Sequence, residues 1–125
     1  MNILKGHKNW IQSLAISPDG KSLYSGSADK TIRVWKTDDG ECMNILEGHT
    51  KMISSIVITP DGQILYSGSV DQTIRMWNVA DGECMKILEG HTGRILSLAI
   101  SPDRKSLFSG SDDKSIREWH IDIFD

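Results

Sequence analysis

The chain has 125 residues, 38% hydrophobic and 25% charged, with 14 Lys and Arg against 17 Asp and Glu. This describes one globular domain, and a net charge of −3 argues against binding nucleic acid or anionic membrane through clustered basic side chains. No apolar run approaches the roughly 18 residues that cross a bilayer, no basic leader with a long apolar core opens the chain, and two Cys make no disulfide framework, so the expectation is a soluble, cytoplasmic domain.

The sequence is built from three copies of one unit, about 4–45, 46–87 and 88–125. Gly6-His7 recurs as Gly48-His49 and Gly90-His91, Asp29 as Asp71 and Asp113, and Trp35 as Trp77 and Trp119, always 42 residues apart. Residues 4–45 and 46–87 are identical at 25 of 42 positions without a gap. A unit this short cannot bury its apolar face alone and must stack on neighbours.

Within the first unit, Trp10–Ile16 is a strand rich in aliphatic residues, matched at Ile53–Ile58 and Ile95–Ile100. Pro18-Asp19-Gly20 is a tight turn, because Pro presets φ and Gly supplies a positive one. Pro60-Asp61-Gly62 repeats it, and Pro102-Asp103-Arg104 loses the Gly. That third turn is either strained or of a type that tolerates a side chain. Ser22–Ser27 is the second strand and Thr31–Trp35 the third. Asp39-Gly40 and Asp81-Gly82 are hairpin signals that open fourth strands at Cys42–Leu46 and Cys84–Leu88. No stretch of ten residues carries a helical period, so the fold class is all-β, with the strand spacing of sandwiches, barrels and propellers.

Gly-His, a Pro-Asp-Gly turn, Ser-Gly-Ser-x-Asp and Ile-Arg-x-Trp at this period together resemble the WD-repeat β-propeller family, over essentially the whole chain. One departure is plain: Trp35, Trp77 and Trp119 are followed by Lys36, Asn78 and His120, not by Asp. The resemblance implies three blades of four antiparallel strands and a hydrogen-bonded chain inside each. The first would join Trp35, Ser25, His7 and Asp29; the second Trp77, Ser67, His49 and Asp71; the third Trp119, Ser109, His91 and Asp113. The chemistry suits the order. Indole only donates, hydroxyl and neutral imidazole do both, and carboxylate only accepts.

Ser, His and Asp also spell a hydrolase triad. Threefold repetition, a Trp that occupies each hydroxyl, and the lack of a strand–turn–helix elbow favour a structural reading, and the chain is expected not to be an enzyme. One repeated His per unit, with no second ligand at the right spacing, argues against zinc. The phosphate-loop pattern is missing, so no cofactor or metal is expected. Cys42 and Cys84 read as reduced, half-buried thiols on successive blades. Arg33, Arg75 and Arg117 read as a solvated strand face.

Positions that differ between copies carry the candidate partner contacts. These are Trp10, Met52 and Arg94, three residues past each His; Gln12, Ser54 and Leu96, five past it; and Ala28, Val70 and Asp112, just before each network Asp. In WD-repeat propellers such places line the top face and contact protein partners. Trp, Met and Arg are also side chains that interfaces enrich. The expected function is thus a non-catalytic scaffold for protein–protein interaction. The alternative is a self-assembling structural propeller, natural, engineered or part of a longer one, with no dedicated ligand.

Propellers have about 4–8 blades, so three leave two faces bare. If each exposes on the order of 500 Å² of apolar surface, the penalty is about 12 kcal/mol per face as an upper bound, comparable with the stability of a whole domain. Met1–Leu4 matches Met43–Leu46 and reads as an orphan outer strand. The third unit shows no Asp-Gly turn after Trp119, although Ile121–Phe124 is an alternative outer strand. Homo-oligomeric closure follows as the expectation, a dimer giving six blades or a trimer giving nine, through head-to-tail contacts.

Overall fold

The structure is a computed structural model, and it describes residues 3–121. Met1 and Asn2 of the expected orphan strand lie outside the described residues, and Ile3 and Leu4 join no strand. Of the alternative outer strand, only Ile121 is described.

The first sheet holds β1 (Ile11–Ile16), β2 (Ser22–Ser27), β3 (Ile32–Lys36) and β4 (Cys42–Leu46). The second holds β5 (Ile53–Ile58), β6 (Ile64–Ser69), β7 (Ile74–Asn78) and β8 (Cys84–Leu88), and the third β9 (Ile95–Ile100), β10 (Ser106–Ser111) and β11 (Ile116–His120). Neighbours in sequence are neighbours in space, so each sheet is a meander. All described pairings are antiparallel. Among the described residues there is no helix, and the architecture is three blades of a propeller that the chain does not close.

The turns fall where the sequence places them. The Asp19 carboxylate accepts from the Ser17 hydroxyl at 2.6 Å and from the Lys21 N–H at 2.9 Å, which folds the Pro-Asp-Gly corner. Gly20 and Gly62 take φ of 74° and 75°. Arg104 adopts the same left-handed conformation, with φ 63°, so the third corner keeps the geometry of the other two and places a side chain at a strained backbone.

The hydrophobic core lies between blades. Tyr24, Ile32 and Leu46 of the first blade pack with Ile53, Ile56, Leu65 and Trp77 of the second. Tyr66, Ile74, Met76 and Leu88 of the second pack with Ile95, Leu98 and Leu107 of the third. The second copy in each pair thus repeats the first, offset by 42 residues. β5 sits between β1 and β9, so the first strand of each blade lines the inside of the stack. Backbone-to-side-chain bonds tie the blades as well: the Ile56 N–H donates to Ser13 Oγ and the Leu98 N–H to Ser55 Oγ, each at 3.2 Å.

Candidate functional site

Each blade contains one chain of side-chain hydrogen bonds. In the second blade the Trp77 indole donates to Ser67 Oγ at 2.8 Å, Ser67 Oγ lies 2.7 Å from His49 Nε2, and His49 Nδ1 lies 2.7 Å from Asp71 Oδ2. The first blade repeats it through Trp35, Ser25, His7 and Asp29 at 2.8, 2.6 and 2.8 Å. The third repeats it through Trp119, Ser109, His91 and Asp113 at 2.9, 2.7 and 2.7 Å. Nδ1 faces a carboxylate, which can only accept, so Nδ1 carries the proton and Nε2 accepts from the hydroxyl. Each Ser oxygen meanwhile accepts from the indole. Its proton is committed and one of its two lone pairs is taken by the indole, and Ser25, Ser67 and Ser109 are all buried. This is the opposite of an exposed nucleophile.

The carboxylates gather further donors. Thr31 and Thr73 hydroxyls reach Asp29 and Asp71 Oδ1 at 2.6 Å, and the Ser115 hydroxyl reaches Asp113 at 2.5 Å. Lys8, Thr50 and Thr92 N–H groups donate to the other oxygen. Burial alone would raise the Asp29 and Asp71 carboxyls. Hydrogen bonds from Thr31, the Lys8 N–H and His7 on one, and from His49 and Thr73 on the other, outweigh it and hold both well below the usual carboxylate range. Asp113 is lowered likewise, first by the Ser115 hydroxyl and then by His91. Sequence reasoning missed Thr31, Thr73 and Ser115. The signal was present as a hydroxyl residue two places after each of these Asp residues.

At one end of the three sheets the backbone pairs the variable positions. The Ala28 N–H donates to the Trp10 carbonyl at 2.8 Å, Val70 to Met52 at 3.1 Å, and Asp112 to Arg94 at 3.1 Å. Six of the nine candidate contacts therefore stand as three adjacent couples, one per blade. Trp10 is 75% exposed. Arg94 Nε donates to Asp112 Oδ2 at 2.6 Å, and this bond leads the causes that hold the Asp112 carboxyl below its ordinary range. The end thus presents apolar side chains over two blades and a charged pair over the third.

Gln12, Ser54 and Leu96 occupy the irregular step in each first strand, where the register slips between Ile11 and Ser13, between Ile53 and Ser55, and opposite Gly110 and Ser111. A bulge re-aims the side chain it carries. Gln12 and Leu96 are exposed. The Ser54 hydroxyl is turned into the stack, donating to the Gly68 carbonyl at 3.1 Å and also to the Ile95 carbonyl.

Two of the three arginines depart from the solvated face expected of them. Arg33 and Arg75 are half-buried, and only Arg117 is exposed. The Arg33 guanidinium carbon stands 6.0 Å from the Trp35 ring centroid, and Arg33 Nη1 donates to Cys42 Sγ at 3.6 Å. Gly6 makes the room: a Cβ there would come within 2.7 Å of Arg33 Nη1. Cys42 and Cys84 are free and half-buried.

The fold and these chains define a class, that of β-propeller blades clamped by Trp-Ser-His-Asp hydrogen bonding. The chain belongs to the WD domain, G-beta repeat family, which matches residues 1–36, 40–78 and 82–120. Among known proteins it is similar to nuclear distribution protein PAC1 of Tuber melanosporum, 54% identical over 44 residues, covering 34% of this chain and 10% of that protein. It is similar to the Candida albicans protein of the same name, 56% identical over 32 residues, or 26% of this chain and 7% of that one. Ribosome biogenesis protein bop1-A of Xenopus laevis is 44% identical over 41 residues, covering 33% and 6%. The matched stretch thus spans about a tenth or less of each of these relatives' lengths.

Among the described residues, no helix is long and apolar enough to cross a membrane.

Proposed function

We propose that the chain is a non-catalytic scaffold of the cytoplasm that binds another protein through the end carrying Trp10, Met52 and Arg94. The observation that carries this is the exposed Trp10 ring immediately before β1, in a position where the sister blades need no aromatic residue. A large apolar side chain held in water at a fixed place is poorly explained by stability and well suited to an anchor. Gln12 and Leu96 extend the surface inward, and Ala28, Val70 and Asp112 border it. Because its three couples differ, the surface suits one irregular protein face better than one ligand bound three times. The ring is completed by copies of the chain, two chains in all for six blades or three in all for nine.

Affinity capture from a cell extract with the wild-type chain and Trp10→Ala tests the scaffold reading. The expected result is a specific protein retained by the wild type and lost by the variant at an unchanged melting temperature. Equal retention by both would remove Trp10 from the interface.

A further inference from the structure

The two ends of the stack expose the two halves of a contact that the chain already makes twice. On the first blade Ile11 and Leu14 are 48% and 60% exposed, while their counterparts Ile53, Ile56, Ile95 and Leu98 are between 0% and 7%. On the third blade Ile116 is 78% exposed, while Ile32 and Ile74 are at 0%. Phe108, at the place of the buried Tyr24 and Tyr66, is also exposed. One face is therefore what β5 and β9 bury, and the other is what β2, β3, β6 and β7 bury against them.

The glycines make the match specific. A Cβ at Gly26 would lie 2.6 Å from Ile53 Cγ2, and one at Gly68 would lie 2.4 Å from Ile95 Cγ2. Each Gly is a seat for the first isoleucine of the next blade. Gly110 is the third member of this series, and a Cβ there would meet nothing within 4 Å. The isoleucine one period on is Ile11, at the other end of the molecule. Ser97 continues the series of Ser13 and Ser55, which accept from the Ile56 and Leu98 N–H groups. The donor one period on is the Leu14 N–H.

The rim follows the same rule. Val34 and Val79 join one inter-blade cluster, and Met76 and Ile121 join the next. The corresponding pair across the open ends is Glu118 and Thr37, both polar. An apolar groove of about 410 Å³ on the first blade, bordered by Leu4, Ile11, Leu14, Leu23 and Trp35, lies on the side that Phe108 and Ile116 would fill. Leu4 lies beside Gly40 as Leu46 lies beside Gly82, so it stands where the outer strand of a preceding blade ends.

We infer that the third blade of one chain docks on the first blade of a second copy, seating Ile11 of the second copy over Gly110. The inference rests on the reading that copies of the chain complete the ring, and it names the contact. Such a head-to-tail contact leaves one free face of each kind until the rotation closes.

Sedimentation equilibrium over a range of concentrations, on the whole chain, tests it through two variants. Gly110→Ala has open space in the single chain, so circular dichroism should stay as in the wild type. In the assembly the added methyl meets Ile11, and self-association should weaken by about tenfold or more. Ile116→Asp, at a residue exposed in the single chain, should do the same. A wild-type mass of two or three chains that falls toward one in both variants supports the inference. A wild type at the mass of a single chain at every concentration overturns both the contact and the ring of copies. An oligomer that both variants leave intact overturns the contact alone.

Discussion

Ser67 stands 2.7 Å from His49 while it receives the Trp77 indole proton at 2.8 Å, so neither residue can leave without stranding the other. His49→Ala removes the acceptor of the Ser67 hydroxyl and a donor to Asp71, in a site where both His49 and Ser67 are buried. A desolvated partner left unpaired costs about 1–3 kcal/mol. The urea midpoint should fall accordingly, with the m-value unchanged. A fluorophosphonate probe, which labels activated serines, should leave the folded chain unmodified.

The three carboxylates set the acid limit of the fold. Asp29, Asp71 and Asp113 are held below the ordinary value by their hydrogen bonds. Unfolding returns them to the value of a free carboxylate, near 4. A depressed native pKa means that the unfolded state binds protons first as pH drops. The stability from these groups is therefore complete above about pH 5 and is lost progressively below about pH 4. Chemical denaturation between pH 3 and 7 should show this fall. Asp71→Asn should be less stable at neutral pH and lose less on acidification.

Close packing between blades predicts a cost at Gly26. An added methyl there overlaps Ile53 in the same chain, and overpacking of this kind costs about 1–3 kcal/mol. Gly26→Ala should thus lower the urea midpoint of the single chain. Gly68→Ala should do so too, because Ile95 is equally close.

The strands were legible because turn chemistry bounds them. Asp39-Gly40 and Asp81-Gly82 gave the starts of β4 and β8, and the aliphatic runs gave β5 and β9 at the residues observed. The network quartets were legible through the family resemblance, since Trp, Ser, His and Asp repeat together. What lay hidden depends on contacts between units. Ser13 and Ser55 look like ordinary polar positions on a strand until the neighbouring blade brings the Ile56 and Leu98 N–H groups to them. Ser54 was expected on the interaction face because it varies between copies, yet its hydroxyl is spent on carbonyls inside the stack. A period shows which residues are equivalent, not which face of one copy meets which face of the next. Arg33 and Arg75 escaped the solvated-face reading for a local reason: each packs against a glycine 27 positions earlier, Gly6 and Gly48.

Arg104 supplies the last test. It holds φ 63° where Gly20 and Gly62 hold 74° and 75°. A side chain in this region costs about 1–2 kcal/mol, and the greater unfolded freedom of Gly returns about 0.5–1 kcal/mol of that. Arg104 also forms an ion pair with Asp61 on the preceding blade. The Asp61 carboxyl is held down first by the Thr59 hydroxyl and the Gln63 N–H, with Arg104 a lesser cause. Both partners are partly exposed, and such pairs contribute about 0–1 kcal/mol. At about 1 M salt, where screening acts over about 3 Å, the pair adds little and the backbone decides. Arg104→Gly should then be more stable than the wild type by about 0.5–1 kcal/mol. At low salt the two should converge, because the wild type regains its ion pair. Urea unfolding of both chains at the two salt concentrations measures the difference, and a variant less stable in high salt would show that the Arg104 backbone is not strained.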